Sequence, residues 1–367
     1  MNRLIIIGNG FDLAHRIKTS FNDFITDYFC NVMREVAKGK NYSDPLIQIK
    51  VNMQNYWRLN DPIKTPVNRA NIFILIEEIR KSEDYEFIFL SPLLERVYSE
   101  CSTLFWVDIE MEYFNLLLDS RHREKGVNQR GLVKKLNSEL EFLKEKLIEY
   151  LEQEQLQFGG ARDSDSILDC FCSDIKKHEI VTAELVENLK PDKLYFLNFN
   201  YTNTFERYAE RCREKIPSEW NYIHGDLYKS NGKPIFGFGD ELDKNYLEFE
   251  DDRNNELFKH IKSFEYLQTK NFYLLTRFIE SCDFQVHIYG HSCGLSDRTM
   301  LNQIFEHENC KSIKIYYFKE SDSRNDFVDK CYEISRHFKD KTMLRKKLIP
   351  FTFSEPMPQP GNINENR

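Results

Sequence analysis

Four aliphatic residues in a row, Leu4-Ile5-Ile6-Ile7, run straight into Gly8-Asn9-Gly10. An apolar run this short and unbroken has no polar face to offer water, so it reads as a strand buried on both sides, as at the centre of a parallel sheet. The glycines directly after it predict a tight turn into a helix. In open α/β folds that is where backbone amides bind phosphate. The run is also far too short for a signal peptide or a membrane span.

A central strand needs neighbours, and the sequence offers them late. Strand-like runs recur at 193–199, 220–223, 234–236, 284–289 and 312–318, with helical patterns at 262–280, 297–306 and 324–338 between the later ones. Strands alternating with helices argue for a parallel sheet with helices on its faces. Between them the character changes. Residues 40–190 hold helical stretches and few strand signals; the clearest, 132–157, carries Leu132, Leu136, Leu140, Leu143, Leu147 and Leu151 as one apolar stripe. Another helix is expected from Ser20, with Phe21, Phe24, Ile25, Tyr28, Phe29 and Val32 at helical spacing. The expected architecture is an α/β, Rossmann-like core of residues 1–39 plus 191–345, with 40–190 as a large helical insertion. At about 150 residues that insertion has the size of a domain. Residues 240–256 are strongly acidic and read as a loop, and 346–367 as an extended or disordered tail with Pro356, Pro358 and Pro360.

Composition narrows the class. With 51 Lys and Arg against 59 Asp and Glu, the net charge is −8, which argues against a nucleic-acid coat or a basic membrane-surface protein. Nine cysteines without a regular framework fit free thiols in a reducing compartment, so the expected location is cytoplasmic and no membrane partner is expected.

Four loops, each closing a predicted strand, hold the residues with chemistry to offer. Gly8-Asn9-Gly10-Phe11-Asp12 is either a phosphate-approaching turn or a plain strand-to-helix turn. Asp12 suits a ribose hydroxyl or helix-start amides better than a pyrophosphate. Asn198-Phe199-Asn200-Tyr201-Thr202-Asn203 is a turn in which Thr202 or Asn203 caps the helix over 204–212, or a ligand-binding loop at a strand's carboxyl end. His224-Gly225 is a satisfied structural histidine or a general base, with an ordinary pKa of about 6.5 suited to work near neutrality. Gly290-His291-Ser292-Cys293-Gly294 offers backbone donors before a helix and also spells the esterase elbow G-x-S-x-G. An acid and a histidine in suitable places downstream of the serine are missing for that reading, since His307 and His337 sit in helical patterns. His287 and His291 have i, i+4 spacing but lie on a strand and a loop, and Cys170-x-Cys172 has no second pair, so no metal site is expected. Asp108 and Glu110 suggest a magnesium nuclease only weakly, because they alternate around a predicted helix.

Taken together, these blocks resemble the AbiH family of bacterial abortive-infection proteins. Leu4-Ile5-Ile6-Ile7-Gly8-Asn9-Gly10-Phe11-Asp12-Leu13-Ala14-His15 with Thr19-Ser20-Phe21-Asn22-Asp23-Phe24 looks like the family's start. Trp106-Val107-Asp108-Ile109-Glu110 with Tyr113, Phe199-Asn200-Tyr201-Thr202, Ile223-His224-Gly225 and Gly290-His291-Ser292 look like its later blocks, in order. The same blocks resemble a divergent sirtuin-like NAD fold. Asp12 departs from the usual small residue there, Thr202 from a second acid, and the zinc-binding cysteines of deacetylating sirtuins are lacking. The resemblance implies an anti-phage protein that hydrolyses NAD+ at the nicotinamide–ribose bond, with His224 and Asn200 catalytic. It places the nucleotide, NAD+ or an ADP-ribose-like relative, against Gly8, Asn9, Gly10, Phe11, Asp12, His15, Tyr201, Gly225, Gly290, His291 and Ser292. It implies NAD as substrate, no metal, and assembly as a homo-oligomer or with a defence-system partner. The alternative is a non-catalytic nucleotide sensor that recruits an effector.

Overall fold

The structure, a computed structural model of the full chain, describes residues 1–38, 40–52, 66–104, 108–121, 128–157, 164–181, 187–243 and 245–360. Trp106 and Val107, quoted above for the resemblance, lie outside the described residues. Nine strands occur among the described residues: β1 (Asn2–Ile7), β2 (Tyr42–Ser43), β3 (Ile47–Val51), β4 (Tyr85–Phe89), β5 (Leu194–Asn198), β6 (Ser218–Tyr222), β7 (Phe284–Tyr289), β8 (Cys310–Tyr317) and β9 (Glu355–Pro356). The chain divides into two compact units, one of residues 1–17, 151–253 and 260–367, the other of 18–150 and 254–259.

The first unit is built on a six-stranded sheet in the order β6-β5-β1-β7-β8-β9, all parallel. Counted along the chain, that order is 3-2-1-4-5-6, the arrangement of doubly wound dinucleotide-binding sheets. β1 sits inside the sheet and is buried at every position, which is why its sequence shows no polar alternation. Leu4 and Ile6 face one core with Tyr195, Leu197, Val286, Ile288, Ile313 and Ile315. Ile5 and Ile7 face the other with Phe196, Tyr289, Phe11, Phe171 and Tyr208. The chain winds outward from β1 to β5 and β6, then returns to place β7 on β1's other side. The order therefore reverses between β1 and β7, and ligands of open α/β sheets bind outside the carboxyl ends at such a point.

Local chemistry explains where the sequence reading was off. The run at 234–236 makes no ladder strand: Pro234 has no amide to give, and Ile235 N–H bonds the His224 carbonyl instead (2.8 Å). The helix expected over 262–280 is two, Lys262–Tyr266 and Asn271–Ser281, with the Thr269 hydroxyl accepting from the Asn271 amide at the break (3.3 Å). The acidic segment 240–256 holds a short helix, Tyr246–Glu250. In the tail, residues 355–356 add an edge strand to β8, where Pro356 is tolerated because an edge need not donate on both sides, and Met357 is buried behind it.

The second unit holds a small antiparallel sheet, β2-β3-β4, that the strand-poor reading of this region did not foresee. Its helices include Phe21–Val36, capped by the Ser20 hydroxyl on the Asp23 amide (3.1 Å), and most of the long helix Gln129–Gln157. Leu136, Leu140, Leu143 and Leu147 of the stripe are buried as their spacing predicts. Asp108 caps the helix Ile109–Arg121 through the Met111 amide (3.0 Å). That is an ordinary reason for an aspartate at this position. None of the helices is long and apolar enough to cross a membrane, among the described residues.

Candidate functional site

Register brings the four loops to one level. Ile7 pairs with Asn198 and with Tyr289, and Asn198 pairs with Tyr222, so Gly8, Phe199, Ile223 and Gly290 all leave the sheet at the same edge.

At the switch point the loops after β1 and β7 pack backbone on backbone. Gly8 N–H bonds the Tyr289 carbonyl (3.0 Å) and Gly10 N–H the Gly290 carbonyl (2.8 Å). A Cβ on Gly8 would stand 2.4 Å from the His291 Cα, and one on Gly290 2.2 Å from the Phe11 nitrogen. Gly290 also has φ +68°, the left-handed region that glycine enters at little cost. What these glycines admit is each other's loop. Asn9 opens the short helix Asn9–Ala14, and Ser292 is exposed beside His291.

The loop after β5 is folded by its own side chains. Asn198 Nδ2 donates to the carbonyls of Asn200 (2.9 Å) and Thr202 (3.0 Å), and its Oδ1 accepts from the Asn200 amide (3.1 Å). That leaves the Asn200 amide side chain to reach across the sheet edge, where Nδ2 donates to the Gly8 carbonyl (3.0 Å). Thr202 Oγ1 donates to Asp12 Oδ2 (2.6 Å), so one of the two residues expected to cap the next helix holds a buried carboxylate instead. Tyr201 OH donates to the Ile235 carbonyl (2.5 Å).

Two predicted residues are turned away from this edge. Phe11 is fully buried against Phe171 and Tyr208. His15 has Nδ1 on the Phe11 carbonyl (2.7 Å) and Nε2 on the Tyr208 hydroxyl (2.7 Å), a pairing that fixes the end of the short helix.

His224, by contrast, joins a cluster. Its Nε2 lies 2.9 Å from the Tyr266 hydroxyl and 3.2 Å from Asp297 Oδ1. The ring faces Tyr266 in parallel at 6.0 Å and meets Phe199 edge-on at 5.2 Å, with a main-chain hydrogen bond to Phe199 besides. Gly225 follows at φ +74°, and a Cβ there would stand 2.4 Å from the Lys233 carbonyl oxygen, so the turn that presents the imidazole demands glycine. Asp297 Oδ1 also accepts from Lys262 Nζ at 2.9 Å, and Oδ2 lies 3.8 Å from His291 Nε2. His291 Nδ1 accepts from the Cys293 amide (2.9 Å), which places its proton on Nε2, toward the carboxylate.

The electrostatics follow from burial. Desolvation, with Lys262 nearby, pushes His224 below its ordinary value despite the opposing pull of Asp297. Desolvation takes His291 down to about 3. Burial alone would raise the Asp297 carboxyl, but the Lys262 ammonium outweighs it and holds the group well below the usual carboxylate range. With both rings neutral, the carboxylate's counter-charge is Lys262. The cluster is therefore a buried ion pair between two neutral imidazoles, at the carboxyl edge of the sheet.

Lys262, Tyr266 and Asp297 escaped the sequence reading. Asp297 lies three residues beyond Gly294, just before a helix, where a cap is the default assignment. Lys262 sits at a helix start with no signal that it would be buried.

A six-stranded parallel sheet of doubly wound order, with polar loops gathered at its switch edge, defines a Rossmann-like class of α/β protein. A family model, bacteriophage abortive infection AbiH, matches residues 4–319, and the chain belongs to that family. It is an anti-phage abortive-infection protein. No curated protein and no solved structure gives a significant match.

Proposed function

We propose that this chain acts in abortive infection as an NAD+ hydrolase with a sirtuin-like site, cleaving the nicotinamide–ribose bond in the cytoplasm once infection triggers it. The observation that carries the reading is that the loops bearing Asn200 and His224 leave adjacent strands at the carboxyl edge of a doubly wound sheet, with Asp297 Oδ1 3.2 Å from the His224 Nε2. Water attacks the anomeric carbon as the C–N bond breaks, giving nicotinamide, ADP-ribose and one proton. The transition state resembles an oxocarbenium ion, so the site must hold the ribose and deliver a positioned, partly deprotonated water. A neutral imidazole can accept that proton near pH 7. Asn200, able both to donate and to accept, can hold the ribose or the water. The loops of Gly8, Asn9 and Gly10 and of Gly290, His291 and Ser292 form the dinucleotide's floor, with Tyr201 and Gly225 shaping its rim and the buried Asp12 bracing the floor through Thr202.

One observation favours a second reading, a non-catalytic nucleotide sensor that recruits a partner. His224 Nε2 is already engaged by Tyr266 and Asp297 and the ring is buried, so a substrate must displace the Tyr266 hydroxyl before the base can act. Nicotinamide release from NAD+, followed on monomeric, oligomeric and phage-triggered protein, separates the two. Release that His224→Ala abolishes supports the hydrolase. Saturable binding of ADP-ribose without release in any assembly state supports the sensor.

A further inference from the structure

We propose that Asp297, held in place by the buried Lys262, is a positioning residue for His224: its carboxylate beside Nε2 stabilises the imidazolium that forms when that nitrogen takes a proton. The inference rests on His224 being the base of the site.

Position gives the first argument. Asp297 is the N-cap of the nine-residue helix Arg298–Glu306, yet its side chain makes no capping hydrogen bond. An aspartate there ordinarily satisfies a helix-start amide, so this one forgoes its usual work. Its carboxylate turns instead to Lys262 (2.9 Å), to His224 Nε2 (3.2 Å) and toward His291 Nε2 (3.8 Å).

Cost gives the second. Lys262 is 1% exposed, and taking a lysine and a carboxylate out of water together is not a cheap way to stabilise a fold; an apolar pair does as well or better. A buried pair that also touches two histidines from different loops ties the end of β6 to the end of β7. Those are the two sides of the sheet edge that a dinucleotide would span.

The charges that bear on His224 come from every element packed around it. They are Lys262 from the helix Lys262–Tyr266, Asp297 from the helix start and His291 from the loop after β7; the Tyr266 hydroxyl is the titratable neighbour on the ring itself. Lys330 stands one step back, donating to the His291 carbonyl (2.9 Å), and His337 holds the Cys293 carbonyl (2.7 Å). Asp297 favours the protonated ring and Lys262 disfavours it, so their removal must act in opposite senses.

The test uses the full chain with Asp297→Asn, Lys262→Met and the double variant. Two readouts are taken: pH profiles of nicotinamide release, and ¹⁵N imidazole signals of His224 against pH, which need no turnover. Asp297→Asn should lower kcat with KM for NAD+ unchanged and move the acidic limb to lower pH. Lys262→Met should move it to higher pH, each by roughly one unit, a tenfold change in ring protonation. Asp297→Asn alone takes the carboxylate from a buried ammonium and can unfold the chain; the double variant removes both charges and covers that case. It should recover the melting temperature while keeping the low kcat of Asp297→Asn. Recovery of kcat together with the melting temperature overturns the proposal, as does an acidic limb and a His224 signal unmoved in both single variants. Opposite movement of the His224 signals in a protein that releases no nicotinamide in any assembly state would sink the hydrolase reading and leave the clamp standing.

Discussion

The cluster at the carboxyl edge and a polar row beneath β1, β7 and β8 both bury histidine, lysine and carboxylate side chains in the same unit. The row is carried by strands. Arg3 Nη1 donates to the carbonyls of Phe171 (2.9 Å) and Ser173 (2.6 Å), and Nη2 to Gln285 Oε1 (3.2 Å). Gln285 passes the chain on to Glu179 (3.0 Å) and Ser312 (3.1 Å), while Lys314 pairs with Glu179 (2.9 Å) and Glu355 (3.1 Å). Arg3 is in register with Gln285, Gln285 with Ser312 and His287 with Lys314, so the row runs straight across the ladder. The edge cluster is carried by loops and helix starts. Burial and nearby cations lower the pKa of a histidine in both places, His287 in the row and His224 at the edge. Of the two, only His224 stands where the backbone has left the sheet, at the carboxyl edge where open α/β folds bind their ligands. A shifted pKa does not distinguish a working histidine from a structural one; the element that carries it does.

The sharpest way to break this comparison is to truncate one histidine. His224→Ala should slow nicotinamide release by about 10²–10⁴-fold at a temperature where the variant is folded, with little change in KM, whereas His287→Ala should leave release per folded molecule intact. Equal losses in the two variants would erase the distinction.

Next in size is a loss of stability confined to the strand-borne row. Lys314→Met leaves Glu179 buried without its ammonium and should cost about 3–5 kcal/mol in denaturant unfolding. Ligand affinity of the molecules that remain folded should not change.

The third effect is a pH slope. His291 falls to about 3 in the fold, well below its unfolded value near 6.5. Below pH 6.5 the unfolded chain binds a proton that the folded chain refuses, so this residue's contribution is full above 6.5 and is lost as pH falls toward 3. Unfolding free energies from denaturant titrations at pH 6.5 and 5 should differ by about 2 kcal/mol on this account, and His291→Gln should remove that part of the slope. A slope unchanged by the substitution counts against a neutral, buried His291.

The smallest effect tests the tyrosine on the base. Tyr266→Phe deletes one hydrogen bond to His224 Nε2 and should cost about 1 kcal/mol of stability, while raising release at low NAD+ because nothing then need be displaced. Slower release would show that the hydroxyl assists the reaction.

Much of the fold was legible because burial on two faces leaves a plain mark. Leu4 to Ile7 announced β1, the run at 284–289 coincides with β7, and Ser20 capped the helix it was expected to start. β2, β3 and β4 were not legible. They are short and partly exposed on an antiparallel sheet, and Ile47-Gln48-Ile49-Lys50-Val51 shows an alternation too brief to stand out among helical patterns. The site divided in the same way. His224, Asn200 and His291 could be singled out as candidates because strand ends followed by glycine or asparagine are where α/β sheets bind their ligands.

The sequence by itself determined that a parallel sheet exists, which segments build its centre and which loops crown it, since apolar periodicity and turn chemistry are local properties. Only the tertiary structure decided that β7 returns to the far side of β1, because strand order depends on contacts hundreds of residues apart. For the same reason it alone decided that Gly8 and Gly10 make room for the loop of Gly290 and His291, that Phe11 and His15 face the core, and that Lys262 meets Asp297 beside two histidines. A buried ion pair is a relation between distant residues, and nothing in the local pattern of either one records it.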